Sequence, residues 1–223
     1  MEFGYWGFKG RGQPHRILMA YLGLDIPEAG FSTPQEWAAK KEELRKNEHC
    51  AFPNLPYLKD GTKVVTESSA VAQALVNKAN RSEMFGKSPT DQIIHTSMLG
   101  VCNDLFDIWG KFLGKTRSEL QASWSQTVEK EIRPKLEGFC KILGSRPFFL
   151  YYLNYADIFF TYLCEIFDYT ASVTGVSNPF NEFAPLIAHR KAVLSLPGIK
   201  EYQSHSSNQR PVIPDAFVKY ATS

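Results

Sequence analysis

The chain has 223 residues, 43% hydrophobic and 22% charged, which is enough for a sizeable core and suits one small plus one larger domain. A formal net charge of +2 leaves no footprint for nucleic acid or an acidic membrane as partner. Cys50, Cys102, Cys140 and Cys164 have neither CxxC pairing nor metal-ligand spacing, so a reducing compartment and no metal are expected.

The opening residues Met1 to Trp6 lack a basic stretch followed by an apolar one, so no signal peptide is expected. Residues 2–8 are a short aromatic strand candidate, broken by Gly10, Gly12 and Pro14. Proline suits the first turn of a helix, where its missing N–H is harmless. A helix is therefore predicted to run through 15–22 and stop at Gly23. Residues 28–32 suit a second strand and 34–46 a charged helix, in which Glu42 and Glu43 interrupt the lysines as on a solvated face. Strands over 54–59 and 63–66 are joined by the turn signal Asp60-Gly61. Residues 68–80 are amphipathic, with Thr66 or Ser68 as cap. The polar segment 80–90, with Gly86 and Pro89, is the linker candidate, which sets the domains at 1–82 and 90–223. Helices are predicted over 91–113, 118–143, 155–167 and 183–195. The most apolar stretch, 148–167, is broken by Asn154, Asp157 and Glu165, so it reads as a buried helix and not a membrane span. The fold class is α+β: a small α/β domain in the order β-α-β-α-β-β-α, then an all-helical one.

Three segments, in matching order, resemble the mu class of cytosolic glutathione S-transferases. They are Gly4-Tyr5-Trp6-Gly7-Phe8-Lys9-Gly10; then Phe52-Pro53-Asn54-Leu55-Pro56-Tyr57-Leu58 with Asp60-Gly61 and Thr66-Glu67-Ser68-Ser69-Ala70; then Leu143-Gly144-Ser145-Arg146-Pro147-Phe148-Phe149 with the box from Asn154 to Asp157. Ser206-Ser207 and Arg210-Pro211-Val212 fit the tail of that class. The resemblance implies the glutathione transferase fold, with a thioredoxin-like N-terminal domain that binds glutathione as co-substrate and a helical C-terminal domain. It also implies a cytoplasmic, homodimeric detoxification enzyme that acts on small hydrophobic electrophiles.

The resemblance makes Tyr5 the catalytic residue, with Trp6 beside it in the glutathione site. A free thiol has a pKa of about 8.5, so a glutathione enzyme must stabilise the thiolate, and a hydroxyl that donates to the sulfur does so. Other classes use Ser or Cys near the first helix, and residues 10–14 contain neither. The plain alternative is a core tyrosine. Asn54, Leu55 and Pro56 are implied to meet the cysteinyl backbone of glutathione, through a cis proline or, as the bland reading, a trans one opening an edge strand. Glu67 and Ser68 open a helix, whose N-terminus suits the γ-glutamyl carboxylate or is only an ordinary cap. Glu67 stands where the class usually has glutamine. Trp37 and Lys41, four apart, match the pair that meets the glycyl carboxylate; in another register Arg45 replaces the lysine, and the bland reading is a surface helix with a Trp on its buried side. Asp104 matches an acid sent from the partner subunit toward glutathione, and Phe52 an aromatic inserted into the partner, so a homodimer follows. The bland readings are a solvated Asp and a core Phe.

Asn154 and Asp157 read as a capping box, with a cost of about 0.5–2 kcal/mol for losing Asp157. Three departures stand out: a short segment between Phe31 and Trp37, Arg11 where the class has leucine, and no tyrosine near Leu113 and Gly114. The electrophile pocket is assigned to Phe8, Arg11, Phe106 and Trp109. The alternatives to transfer are isomerisation or peroxide reduction on the same thiol, or a binding protein that has lost catalysis.

Overall fold

The computed structural model describes residues 1–46 and 50–221. It divides into two units, 1–82 with 197–211, and 83–196 with 212–223. The return of 197–211 to the first unit departs from the boundaries drawn on sequence. The physical reason lies in contacts that no local pattern announces. Lys9 N–H donates to the Pro211 carbonyl (2.9 Å), Gln13 donates to Asn208 (2.7 Å), and Arg210 pairs with Glu28 (2.7 Å). Gly198, at φ 77°, lets the chain approach the helix Gln13–Leu22 so closely that a Cβ there would lie 2.7 Å from the Ala20 carbonyl oxygen.

In the first unit, β1 (Glu2–Trp6) pairs parallel with β2 (Glu28–Phe31) and antiparallel with β3 (Tyr57–Asp60), and β4 (Lys63–Thr66) closes the order β2-β1-β3-β4. Helices α1 (Gln13–Leu22), α2 (Pro34–Arg45) and α3 (Ser68–Lys78) flank this sheet. Side chains alternate along a strand. Phe3 and Tyr5 therefore share one face, where Phe3 stacks on His15 of α1. Trp6 packs on the other with Phe31, Leu44 and Tyr57. Gly4 lies opposite Tyr57 in register, and a Cβ on it would fall 2.0 Å from the Tyr57 ring. The third strand starts at Tyr57, later than the sequence pattern suggested, because 54–56 is taken up by the cis Leu55–Pro56 bond and the Asn54 side chain's bond to Leu55 N–H.

The second unit comprises α4 (Pro89–Leu113), α5 (Arg117–Thr127), α6 (Arg133–Leu143), α7 (Tyr155–Thr174) and α8 (Ala184–Leu194); the short α9 (Ile199–Gln203) belongs to the first unit. The helix predicted over 118–143 is divided by a π-helical turn, Val128–Ile132, just before Pro134, whose ring and missing N–H do not fit a regular α-ladder. Helix α7 runs seven residues past the predicted end. Thr170 and Thr174 bond back to the carbonyls of Ile166 (3.0 Å) and Thr170 (2.7 Å), so these polar residues sit in the core without a broken turn. Phe139, Phe149 and Phe160 interlock with centroids 4.6–5.2 Å apart. At the start of α7, Asp157 is fully buried and accepts from Phe149 N–H, Asn154 N–H and His189 Nε2, each at 2.8 Å. Burial pushes its carboxyl up while those donors pull it down; the net direction is upward.

Candidate functional site

Tyr5 lies near the end of β1, and its hydroxyl accepts the Arg11 backbone N–H at 2.7 Å. The turn Gly10–Gly12 covers the ring. A Cβ on Gly12 would come within 2.4 Å of the ring, and one on Gly10 within 2.7 Å of the hydroxyl, so both positions need glycine for this approach. Only 6% of Tyr5 is exposed. Burial pushes the phenol up to about 12, against the opposing Arg11 N–H and the charges of Arg11 and Arg16. Tyr5 thus keeps its proton at neutral pH and has an O–H to donate, with Arg11 N–H filling an acceptor site on its oxygen.

Two residues behind this turn escaped the sequence reading. Arg16 is 2% exposed; it pairs with Glu28 and donates to the carbonyls of Trp6 (2.9 Å), Phe8 (2.9 Å) and Lys9 (3.3 Å), fixing the backbone on both sides of Gly7. Burial alone would raise the Glu28 carboxyl, but hydrogen bonds and charge from Arg16 and Arg210 hold it below the usual carboxylate range. His15 is fully buried, with Nδ1 3.0 Å from the Arg11 carbonyl and Nε2 2.8 Å from the Ser68 carbonyl. The available signal was its spacing: His15 shares the apolar face of α1 with Leu18, Met19 and Leu22, at i+3, i+4 and i+7.

The structure also gathers Asn54, Leu55, Glu67 and Ser68. The Leu55–Pro56 bond is cis. Asn54 accepts Leu55 N–H (2.9 Å) and donates to Glu67 (3.0 Å). Glu67 holds φ 72°, ψ 127°, a strained conformation for a residue with a side chain, immediately before Ser68 opens α3. The free N–H groups of that helix start, with the dipole behind them, favour an anion.

Trp37 is half-buried, with its ring 5.5 Å from Phe31 in the cluster behind α2; Lys41 is half-buried one turn on, and the exposed Arg45 pairs with Glu42. Trp6 stacks on the half-buried Phe8 (6.2 Å). In the helical unit, Phe106 and Trp109 are 7% and 2% exposed, pack edge to face, and Trp109 donates to Thr170 (3.1 Å). Both are thereby core residues of the bundle. Asp104 is exposed and pairs with Lys135 (3.4 Å). Phe52, in contrast to its bland reading as a core residue, is 75% exposed. Helices α4 and α6 frame a cavity of about 270 Å³ lined by Met98, Val101, Pro134, Phe139 and Ile142. Among the described residues, no group of His, Cys, Asp and Glu is arranged to hold a metal, and no helix is long and apolar enough to cross a membrane.

Comparison with known proteins agrees with this fold. Residues 103–206 match the family model for the glutathione S-transferase C-terminal domain. The solved glutathione S-transferase Blo t 8 superposes with a TM-score of 0.74 at 24% identity, covering 99% of this chain and 100% of that one. The fold is that of the glutathione S-transferases. In sequence, the chain is similar to mu-class glutathione S-transferases. It is 27% identical to the class-mu 26 kDa isozyme of Schistosoma mansoni over 92% of this chain and 88% of the relative. It is 28% identical to glutathione S-transferase Mu 1 of Bos taurus over 67% of each. These relatives support a glutathione S-transferase enzyme.

Proposed function

We propose that the protein transfers the glutathione thiolate to small hydrophobic electrophiles, with Tyr5 stabilising the anion. One observation carries the reading: a phenol hydroxyl fixed by Arg11 N–H at 2.7 Å and linked through His15 to a helix start suited to a carboxylate. Glutathione binds with its γ-glutamyl carboxylate at Ser68 and the start of α3. Glu67, Asn54 and Leu55 meet its amino group and backbone, and Trp37 with Lys41 its glycyl carboxylate. The thiol proton leaves to solvent, and the Tyr5 O–H donates to the remaining thiolate. The sulfur then attacks the electrophile, forming a C–S bond as the leaving group departs, or as an activated double bond takes up a proton. A hydrogen bond to a charged group is worth about 1.5–3 kcal/mol, which sets the scale of the effect. Phe8 and Arg11 are the proposed electrophile contacts of the first unit.

The reading includes a two-fold homodimer in the cytoplasm. Its support is the exposed Phe52 ring on one unit and the apolar α4–α6 cavity on the other, a projection and a receptacle for two copies of the chain. Four free cysteines suit a reducing compartment.

The test is retention on glutathione-agarose and conjugation of an aryl halide by wild type and Tyr5→Phe. Both proteins are expected to be retained. The variant's kcat/KM should fall about 10- to 100-fold, with the bound thiol titrating nearer 8.5. Turnover unchanged by Tyr5→Phe refutes the assigned role, and retention without turnover in the wild type indicates a binding protein.

A further inference from the structure

His15 stands between the two halves of the proposed site. Its Nδ1 faces the carbonyl of Arg11, the residue whose N–H holds the Tyr5 hydroxyl; its Nε2 faces the carbonyl of Ser68, the first residue of α3. The ring is immobilised by complete burial and by stacking on Phe3, centroids 5.8 Å apart. Both partners are acceptors. A neutral imidazole has one N–H, so it bonds one carbonyl and turns a lone pair toward the other; only an imidazolium donates to both. Burial drives the ring down to about 4 against the pull of the two carbonyls, so at neutral pH it carries a single proton shared between two alternatives.

We propose that His15 is a positioning residue of the glutathione site, tying the turn over Tyr5 to the start of α3, with its tautomer setting which of the two is held. This rests on the reading of Tyr5 and Ser68 given above. A carboxylate bound at the helix start changes the field at Ser68 and therefore the tautomer balance. The response reaches Arg11 at the other side of the ring, and through its N–H the Tyr5 hydroxyl. A histidine that merely filled space would not register the ligand.

The experiment is a glutathione titration of the intact protein labelled with ¹⁵N in the imidazole rings, the His15 signals being assigned by their absence in His15→Gln. On saturation the two His15 nitrogens should move toward a single tautomer. In parallel, His15→Leu should raise KM for glutathione and lower the bound thiolate fraction, each about tenfold, the scale of one lost hydrogen bond. His15→Gln, whose amide still donates, should recover most of both. Saturation with no change at the His15 nitrogens overturns the proposal, as does a folded His15→Leu with wild-type KM and thiol titration. If His15→Leu does not fold, the wild-type titration and His15→Gln decide. Wild-type protein that fails to bind glutathione overturns the functional reading as well, whereas binding without a His15 response overturns this inference alone.

Discussion

The two units solve opposite problems. The first tolerates strain and close approach: positive φ at Glu67, and glycines at 4, 10 and 12 that leave no room for a Cβ. Its buried His15 and Arg16 bond to backbone carbonyls and to the half-buried Glu28 around a candidate ligand site. The second is an aromatic bundle, and its buried carboxylate serves the start of a helix. Chemistry requires backbone groups held in unusual places, and a packed helical core has few to spare. The difference teaches that substitutions at buried polar residues should cost function in the first unit and stability in the second.

Asp157→Ala sharpens the contrast most. The capping argument on sequence gave about 0.5–2 kcal/mol. The structure adds the Phe149 N–H and His189 to its partners, at complete burial. Breaking such a buried network costs roughly 3–5 kcal/mol. Denaturant unfolding should show this loss, with any remaining folded protein still binding glutathione; a loss below about 1 kcal/mol would break the comparison.

Acid provides the next test. His15 and His95 are both buried, and burial lowers each ring from 6.5 to about 4. The unfolded chain binds these protons first, so stability is complete above pH 6.5 and is lost as pH falls through about 4, by about 3 kcal/mol for each ring. Asp157, held upward by burial, takes up its proton earlier in the fold and offsets part of that loss. Neither nitrogen of His95 has a hydrogen-bond partner, unlike those of His15. His95→Phe should therefore raise the neutral-pH melting temperature and flatten the acid loss without moving KM for glutathione. A less stable variant would show that the imidazole has a role in the bundle.

Phe52→Ser is the smallest change. An exposed aromatic that fills a pocket contributes about 2 kcal/mol or more at an interface. Sedimentation should show a shift toward monomer with each unit's secondary structure intact, and an unchanged association constant would remove Phe52 from the interface.

The legible parts were those set by local chemistry. Pro14 and Gly23 bounded α1, Asp60-Gly61 marked the hairpin, and Asn154 with Asp157 formed the capping box, because caps and turns bond within a few residues. Tyr5 stands out as a candidate only through its neighbours in an ordered pattern. His15 and Arg16 were read only as helix, since their partners at 28 and 68 are distant in sequence.

By itself, the sequence determined the α+β division, most helix and strand positions, and the candidates Tyr5, Asn54 and Ser68, all of which rest on short-range periodicity and ordered motifs. Tertiary structure alone decided that 197–211 returns to the first unit, that Phe106 and Trp109 are core, and that one imidazole spans Arg11 and Ser68. These follow from contacts between distant segments, whose satisfaction of buried polar groups and filling of space no local pattern encodes.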